Sequence, residues 1–325
     1  MFAYLIRRIL YAIPILIGVN VITFALFFVV NSPNDMARMH LGGKHVTPAA
    51  IERWKESHGY NMPLLYNESA TGIQKVEKTL FYQKSLRLFV FDFGRSDQGR
   101  DISEDIWQRM WPSLAIAVPT LLLGLAVNIT FAMLMAFFRA TYIDVGGVAG
   151  CIMLMSVSSL FYIIGGQYLF GKILQLVPIS GYQTGWDAIK FLILPVAIGV
   201  MSGVGAGSRW YRTIFLEEMN KSYVRTARSK GLAERVVLFK HVLRNALIPI
   251  LTGVVVILPM LFLGSLIMES FFGIPGLGSY TIDAISQQDF SIVRAMVFLG
   301  TMLYIVGLIL TDISYTIVDP RVRLG

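Results

Sequence analysis

The sequence predicts an all-α polytopic membrane protein with six transmembrane helices and both termini in the cytoplasm. Three observations carry that expectation. The 325 residues are 55% hydrophobic and only 15% charged, with a mean hydropathy of +0.63, which a soluble globular chain rarely reaches. Several apolar runs exceed the ~20 residues needed to cross a bilayer as helix. The positive charge also falls on alternate connections, as the positive-inside rule requires.

The first span is expected at 9–30. Arg7 and Arg8 precede it, and no acidic or basic side chain occurs again until Asp35. That gap is about 39 Å of helix. The apolar stretch is too long for a cleaved signal peptide or a twin-arginine signal, so it is expected to be a retained span. The others are expected at 113–138, 146–170, 191–208, 246–268 and 292–317. With the N-terminus inside, Arg7, Arg8, Arg139, Arg321 and Arg323 fall on the cytoplasmic side. So do the nine Lys/Arg between Arg209 and Arg244, against three Glu. The short outer connections carry little: Lys172 and Lys190, and Arg294 at an edge.

The chain divides into an N-terminal helix (1–30), an extracytoplasmic segment (31–111) and a five-helix core (112–325) with a basic cytoplasmic loop at 209–247. The outer segment has eleven Lys/Arg and ten Asp/Glu, and long loops translocate largely regardless of charge. Thr47-Pro48 suits a helix start with the hydroxyl as cap, and Gly59 suits its end. The stretch 102–111 places Ile102, Ile106, Trp107 and Met110 near one face. With Trp111, it suits a helix lying in the membrane interface before the second span, against the plainer reading of a solvated loop with an aromatic anchor.

Composition excludes several functions. A net charge of +8 would suit nucleic acid, but the charge flanks spans, where topology and lipid heads account for it. The single cysteine, Cys151, permits no internal disulfide and reads as a packing residue. GQYLFGKI at 166–173 has phosphate-loop spacing, yet lacks the Ser/Thr for magnesium and a preceding strand. No metal site is expected; His40 and His45 lack a further ligand at suitable spacing. No nucleophile with its base is found, which argues against an intramembrane enzyme. Neither a clear internal repeat nor a chain of intramembrane ionisable groups points to an ion-driven transporter. Asn20 and Asn128 are the central polar residues of the spans. Each is a candidate for lining a path, against the plainer role of helix–helix hydrogen bonding. The small-residue run at 199–207 permits close helix approach, and Asp312 and Glu269 lie near span ends.

The basic loop itself reads helix, Gly, helix. Residues 216–230 favour helix, Gly231 after Arg228-Ser229-Lys230 suits a left-handed cap, and a second helix starts near Ala233. Such a pair fits either a groove on a soluble partner or a solvated basic face on lipid.

YVRTARSKGLAERVVLFKHVLRNALIPILT resembles the cytoplasmic coupling motif of inner-membrane permeases in ATP-binding-cassette (ABC) importers, specifically the oligopeptide/dipeptide/nickel branch. YLIRRILYAIPILIGVNVITF, FDFGRSDQGRDISEDIWQRMWPSLAIAV, LVPISGY, FFGIPGLGSYTIDAISQQDF and TDISYTIVDPRVRLG resemble further family segments in order. Residues 32–81 match least. The broader motif begins Glu-Ala-Ala six residues before its Gly; here those positions are Arg225, Thr226 and Ala227, a form usual in the peptide branch. No acidic contact to a partner is therefore assumed.

The resemblance implies a type I importer-like permease fold in the bacterial inner membrane, importing peptides by alternating access. A nickel chelate or other small solute is the alternative cargo. It implies a homologous second permease, two cytoplasmic ATP-binding subunits and an extracytoplasmic substrate-binding protein. No cofactor is expected in this chain, ATP and Mg residing on the ATPases. Coupling would fall to Tyr223, Arg225, Thr226, Ala227, Arg228, Lys230, Gly231 and Glu234, with Ala227 and Gly231 allowing close approach. The loops 31–111 and 271–290 are candidates for binding-protein contact. Gly273, Pro275, Gly276 and Gly278 are candidates for an outer gate or simply a chain reversal.

Overall fold

The computed structural model describes residues 2–42 and 46–318. His45, Arg321 and Arg323 lie outside the described residues. Fifteen α-helices are described: α1 (Phe2–Ala25), α2 (Pro33–His40), α3 (Pro48–His58), α4 (Gln74–Glu77), α5 (Leu80–Lys84), α6 (Ile102–Phe137), α7 (Tyr142–Ser156), α8 (Ser159–Gly166), α9 (Ala188–Met219), α10 (Ser222–Ser229), α11 (Glu234–Val236), α12 (Leu243–Ile257), α13 (Leu266–Phe272), α14 (Leu277–Gln287) and α15 (Phe290–Val318). Apart from one isolated bridge between Arg95 and Asp101, there is no strand among the described residues.

Among the described residues five helices are long and apolar enough to cross a membrane: Ile6–Val30, Ile102–Phe137, Gly185–Met219, Glu234–Leu263 and Phe290–Ser314. The third expected span, at 146–170, is not one rod. Tyr142–Ser156 and Ser159–Ile173 meet at 85°. Val157 is extended (φ −91°, ψ 126°), which interrupts the backbone ladder. Counting the bent pair as one span gives up to six.

Boundaries differ elsewhere for identifiable reasons. The interfacial helix expected at 102–111 is continuous with the second span as α6, a single helix of 36 residues, about 54 Å long. The fifth span starts at Glu234 and stops at Leu263, because Gly264 turns the backbone at φ +69°. Residues 266–268, expected inside that span, open α13 instead. Thr47 does precede α3, but its side chain makes no cap bond; Gly59 ends that helix left-handed at φ 67°.

The chain forms two compact units. The first comprises 2–42, 46–109 and 280–309 of the described residues, so residues 280–309 pack with the outer segment rather than with the expected core. Its apolar centre is Phe24, Phe28, Met36, Ile51, Trp54, Tyr60 and Leu80. Ser32 and Asp35 close a reciprocal capping box at the start of α2, satisfying two otherwise unpaired amides. The Asp97 amide donates to Asp289 Oδ2 (2.8 Å). His40 Nε2 lies 3.3 Å from Asp97 Oδ2. Among the described residues no group of three His, Cys, Asp or Glu is placed to hold a metal.

The second unit comprises 110–279 and, among the described residues, 310–318. Its glycines let α7 and α9 approach. A Cβ on Gly205 would lie 2.5 Å from the Cys151 carbonyl oxygen, and Cys151 is fully buried there. Arg212 of α9 grips Asp144 of α7 with two bonds, Nε to Oδ1 (2.7 Å) and Nη2 to Oδ2 (2.8 Å). That paired geometry is the strong form of ion pair. The 166–173 stretch is helical, ending in a wide π turn over Gln167–Ile173, not a phosphate loop.

Candidate coupling site

The helix expected through 216–230 breaks at Asn220-Lys221, and α10 is a separate two-turn element. Eight residues are too few to hold a helix in water unaided, so packing must hold α10. Val224 and Ala227, three apart on one face, are buried in one apolar core with Ala132, Met133 and Ala136 of α6 and Phe215 and Met219 of α9. Val237, Leu238, Val242, Ala246 and Ile250, in and before α12, complete it. Ala227 thus faces the chain's own interior and does not offer its surface to a partner. Its small side chain is needed inward, where α10 lies close on that core.

Polar bonds tie both ends. Glu218, at the end of α9, accepts from Lys221 Nζ and from the Tyr223 hydroxyl (2.6 Å). Burial and then the Glu218 hydrogen bond push the Tyr223 phenol up to about 12. Across the turn, Arg228 donates from Nε to Glu234 Oε2 (3.0 Å) and from Nη2 to Oε1. That pairing raises the Arg228 guanidinium further above its ordinary range. Gly231 sits between these partners at φ +74°, its N–H donating to the Arg228 carbonyl (2.9 Å). A Cβ there would meet nothing within 4 Å, so the turn needs glycine for its backbone angle and not for space within the chain. Arg225, Thr226, Arg228, Lys230 and Gly231 are exposed. Among the described residues neither Arg225 nor Lys230 has an ion-pair partner. The second expected helix is not free-standing: α11, a π turn and α12 form one run into the fifth span.

At another part of the second unit, GIPGLG closes around a side chain that the sequence did not single out as central. Glu269 is 0% exposed. Its Oε1 accepts the Ser265 amide (3.0 Å), and Oε2 accepts the amides of Gly278 (2.7 Å) and Ser279 (3.1 Å). Ser113 hydrogen-bonds the same carboxylate and accepts the Leu277 amide (2.8 Å). Gly273 ends α13 at φ 63°, and a Cβ on Gly276 would overlap the Glu269 carboxylate. Pro275 lies within the same turn. The glycines therefore make a cradle for a buried anion. The available signal was an acidic residue followed four residues later by the turn-rich run GIPGLG.

A cleft of about 630 Å³ runs beside this cradle, lined in part by Ser113, Thr120, Ser159, Ser202 and Glu269. Asn128 does not line it; it accepts the Ser208 hydroxyl (3.0 Å) between α6 and α9. Asn20, in the first unit, donates to the Ser85 carbonyl (3.2 Å). Both candidate path residues sit in packed polar contacts.

Apolar helices long enough to span, joined by a short basic helix locked into their core, define a polytopic membrane protein. Residues 128–324 match the family described as binding-protein-dependent transport system inner membrane component, and residues 1–80 match its N-terminal counterpart. The chain belongs to this family and is a multi-pass inner-membrane permease subunit of an ABC importer. Membership implies further ABC components as partners.

Among its relatives is the oligopeptide transport system permease protein AppB of Bacillus subtilis, 33% identical over 99% of this chain and 100% of that one. A putative peptide transport system permease protein of Brucella abortus (strain 2308) is 33% identical over 99% of each. The dipeptide transport system permease protein DppB of Alkalihalophilus pseudofirmus is 25% identical over 99% and 100%.

Proposed function

We propose that this chain is the peptide-conducting permease of an ATP-driven importer, coupled to cytoplasmic ATPases through the turn around Gly231. The observation that carries the coupling assignment is the seating of α10. Its basic face is exposed while Val224 and Ala227 sit in the core that the spans share. A push on that face moves the spans with it, because protein interiors are close-packed and transmit strain. Peptide cargo is supported by the names of relatives that align along nearly the whole chain.

The partners are a homologous second permease, two cytoplasmic ATP-binding subunits and an extracytoplasmic substrate-binding protein. Both termini lie in the cytoplasm. ATP and Mg bind the ATPases, and this chain contributes no hydrolytic chemistry. The exposed groups Arg225, Thr226, Arg228, Lys230 and Gly231 meet the ATPase. Tyr223 and Glu234 hold the element in shape. The hydroxyl-lined cleft beside Glu269 is this chain's share of the translocation path. The outer segment and the turn at 273–278 meet the binding protein.

The test is ATP hydrolysis by the assembled complex in lipid, with binding protein either empty or loaded with a short peptide. Stimulation by the loaded form is expected. Retention of the ATPases without stimulation removes the peptide cargo. Failure to retain them removes the coupling assignment.

A further inference from the structure

The first unit holds a polar pocket of about 160 Å³ whose lining includes Lys84, Arg87, Asp92, Arg95, Ser291 and Arg294. Four cations and one carboxylate leave an excess of three positive charges around it. Asp92 is already taken, pairing with Arg87 at 3.4 Å on the rim.

Arg294 is the unusual member, at 4% exposure. Its guanidinium donates to the carbonyls of Phe290 (Nε, 3.2 Å) and Lys84 (Nη1, 2.8 Å) and to Ser291 Oγ (Nη2, 3.5 Å). It lies over the Phe28 ring at 4.8 Å. Of its five N–H groups, two remain. Among the described residues no carboxylate pairs with it. Lys84 sits beside it, donating to the His58 carbonyl (3.3 Å) and lying 4.8 Å above the Tyr60 ring; it too lacks a carboxylate pair among the described residues.

Two neighbouring cations withdrawn from water with no carboxylate in contact are costly. The carboxylates that act on Lys84 from further off, Asp97 and Asp289, are occupied. Asp289 accepts the amides of Asp97 and Ile292, and Asp97 pairs with His40. Burial and then Arg294 hold the Lys84 amine down to about 8.

We propose that this pocket is a carboxylate-binding site. A carboxylate would supply the missing charge and accept from the lysine ammonium and the spare guanidinium N–H groups, the pairing that planar guanidinium favours. The volume is roughly five waters' share, enough for a carboxylate and the atoms next to it but not for a whole peptide. The carboxylate can come from the free C-terminus of a peptide or from an acidic side chain of a partner. The cargo source rests on the function proposed above; the site itself does not.

The test uses the full chain in lipid nanodiscs at pH 7 and constant ionic strength. Thermal unfolding is followed as acetate replaces chloride. Acetate is expected to raise Tm in a saturable way. Lys84→Met should leave the acetate-free Tm unchanged or higher, since relief of the charge beside Arg294 offsets the lost bond to the His58 carbonyl, and should weaken acetate at least tenfold. Arg87→Gln, on the exposed rim, gives a second variant with the same expected loss. A free dipeptide acting at lower concentration than its C-terminally amidated form assigns the site to cargo. Equal action of the two dipeptides, with acetate still active, assigns it to a partner side chain. No acetate response in the unaltered chain, an undiminished response in both variants, or a response to inorganic phosphate alone overturns the proposal.

Discussion

Replacing Glu269 with alanine should be among the most damaging single changes in this chain. The carboxylate is fully buried and satisfies three backbone amides, those of Ser265, Gly278 and Ser279. Each amide left without an acceptor costs about 1–3 kcal/mol. Removing the carboxylate also removes its own desolvation cost, which offsets part of the sum. The net loss should be about 3–5 kcal/mol, as for other broken buried charge contacts. At roughly 2 °C per kcal/mol for a large chain, Tm should fall by about 6–10 °C. Glu269→Gln keeps one acceptor oxygen but presents N–H to N–H at the other, so about half that loss is expected. Thermal unfolding in detergent reads both, and protease cleavage near 273–278 should rise with Glu269→Ala. A Glu269→Ala Tm within 2 °C of the unaltered chain would refute the cradle as the element that holds this turn.

Gly231→Asp places a side chain at φ +74° in open space. It should cost about 1 kcal/mol of stability while severing peptide transport from ATP hydrolysis; normal transport by that variant would show the coupling assignment to be wrong. Thr120→Val removes a buried hydroxyl that has no hydrogen-bond partner among the described residues. Tm should hold or rise slightly, with altered peptide uptake if the cleft is the path. Arg212→Lys loses the two-pronged grip on buried Asp144 and should lower Tm by about 4 °C or more, for a loss of roughly 2 kcal/mol, since lysine cannot pair bidentately. Lys84 is held below its unfolded value, near 8 against 10.5. The unfolded chain therefore binds more protons between those values, and Lys84's contribution to stability should improve as pH rises through them; Lys84→Met should flatten that slope.

What was legible in the sequence was what local chemistry decides. Apolar runs and flanking arginines located the membrane helices. Gly231 after three basic or polar residues announced a left-handed cap, and Gly59 did the same for α3. The small residues at 199–207 signalled close packing, which Gly205 against Cys151 displays. What was not legible depends on residues far apart in sequence. Glu269 gains its importance from Ser113 and from the amides of 278–279, and nothing near 269 states that. The 85° bend at Val157-Ser158 falls within a stretch apolar enough to pass as one span. Ala227 was read as a small residue allowing close approach; that its approach is to the chain's own core depends on α6, α9 and α12, which lie far away in sequence. The fusion of 102–111 with the second span went unread; α6 runs through both Pro112 and Pro119 without a break.

The seating of α10 also bears on how this transporter can be inhibited. Under the coupling proposed above, a synthetic peptide copying 217–235 would be a natural decoy for the ATPase. Cut from the chain, it would lose the burial of Val224 and Ala227, and an eight-residue helix without that support does not persist in water. The Glu218 bonds to Lys221 and Tyr223 and the Arg228–Glu234 bridge would travel with it, but the apolar seat would not. An effective mimic must therefore restore rigidity by other means, such as a covalent staple across the face that α6, α9 and α12 now hold.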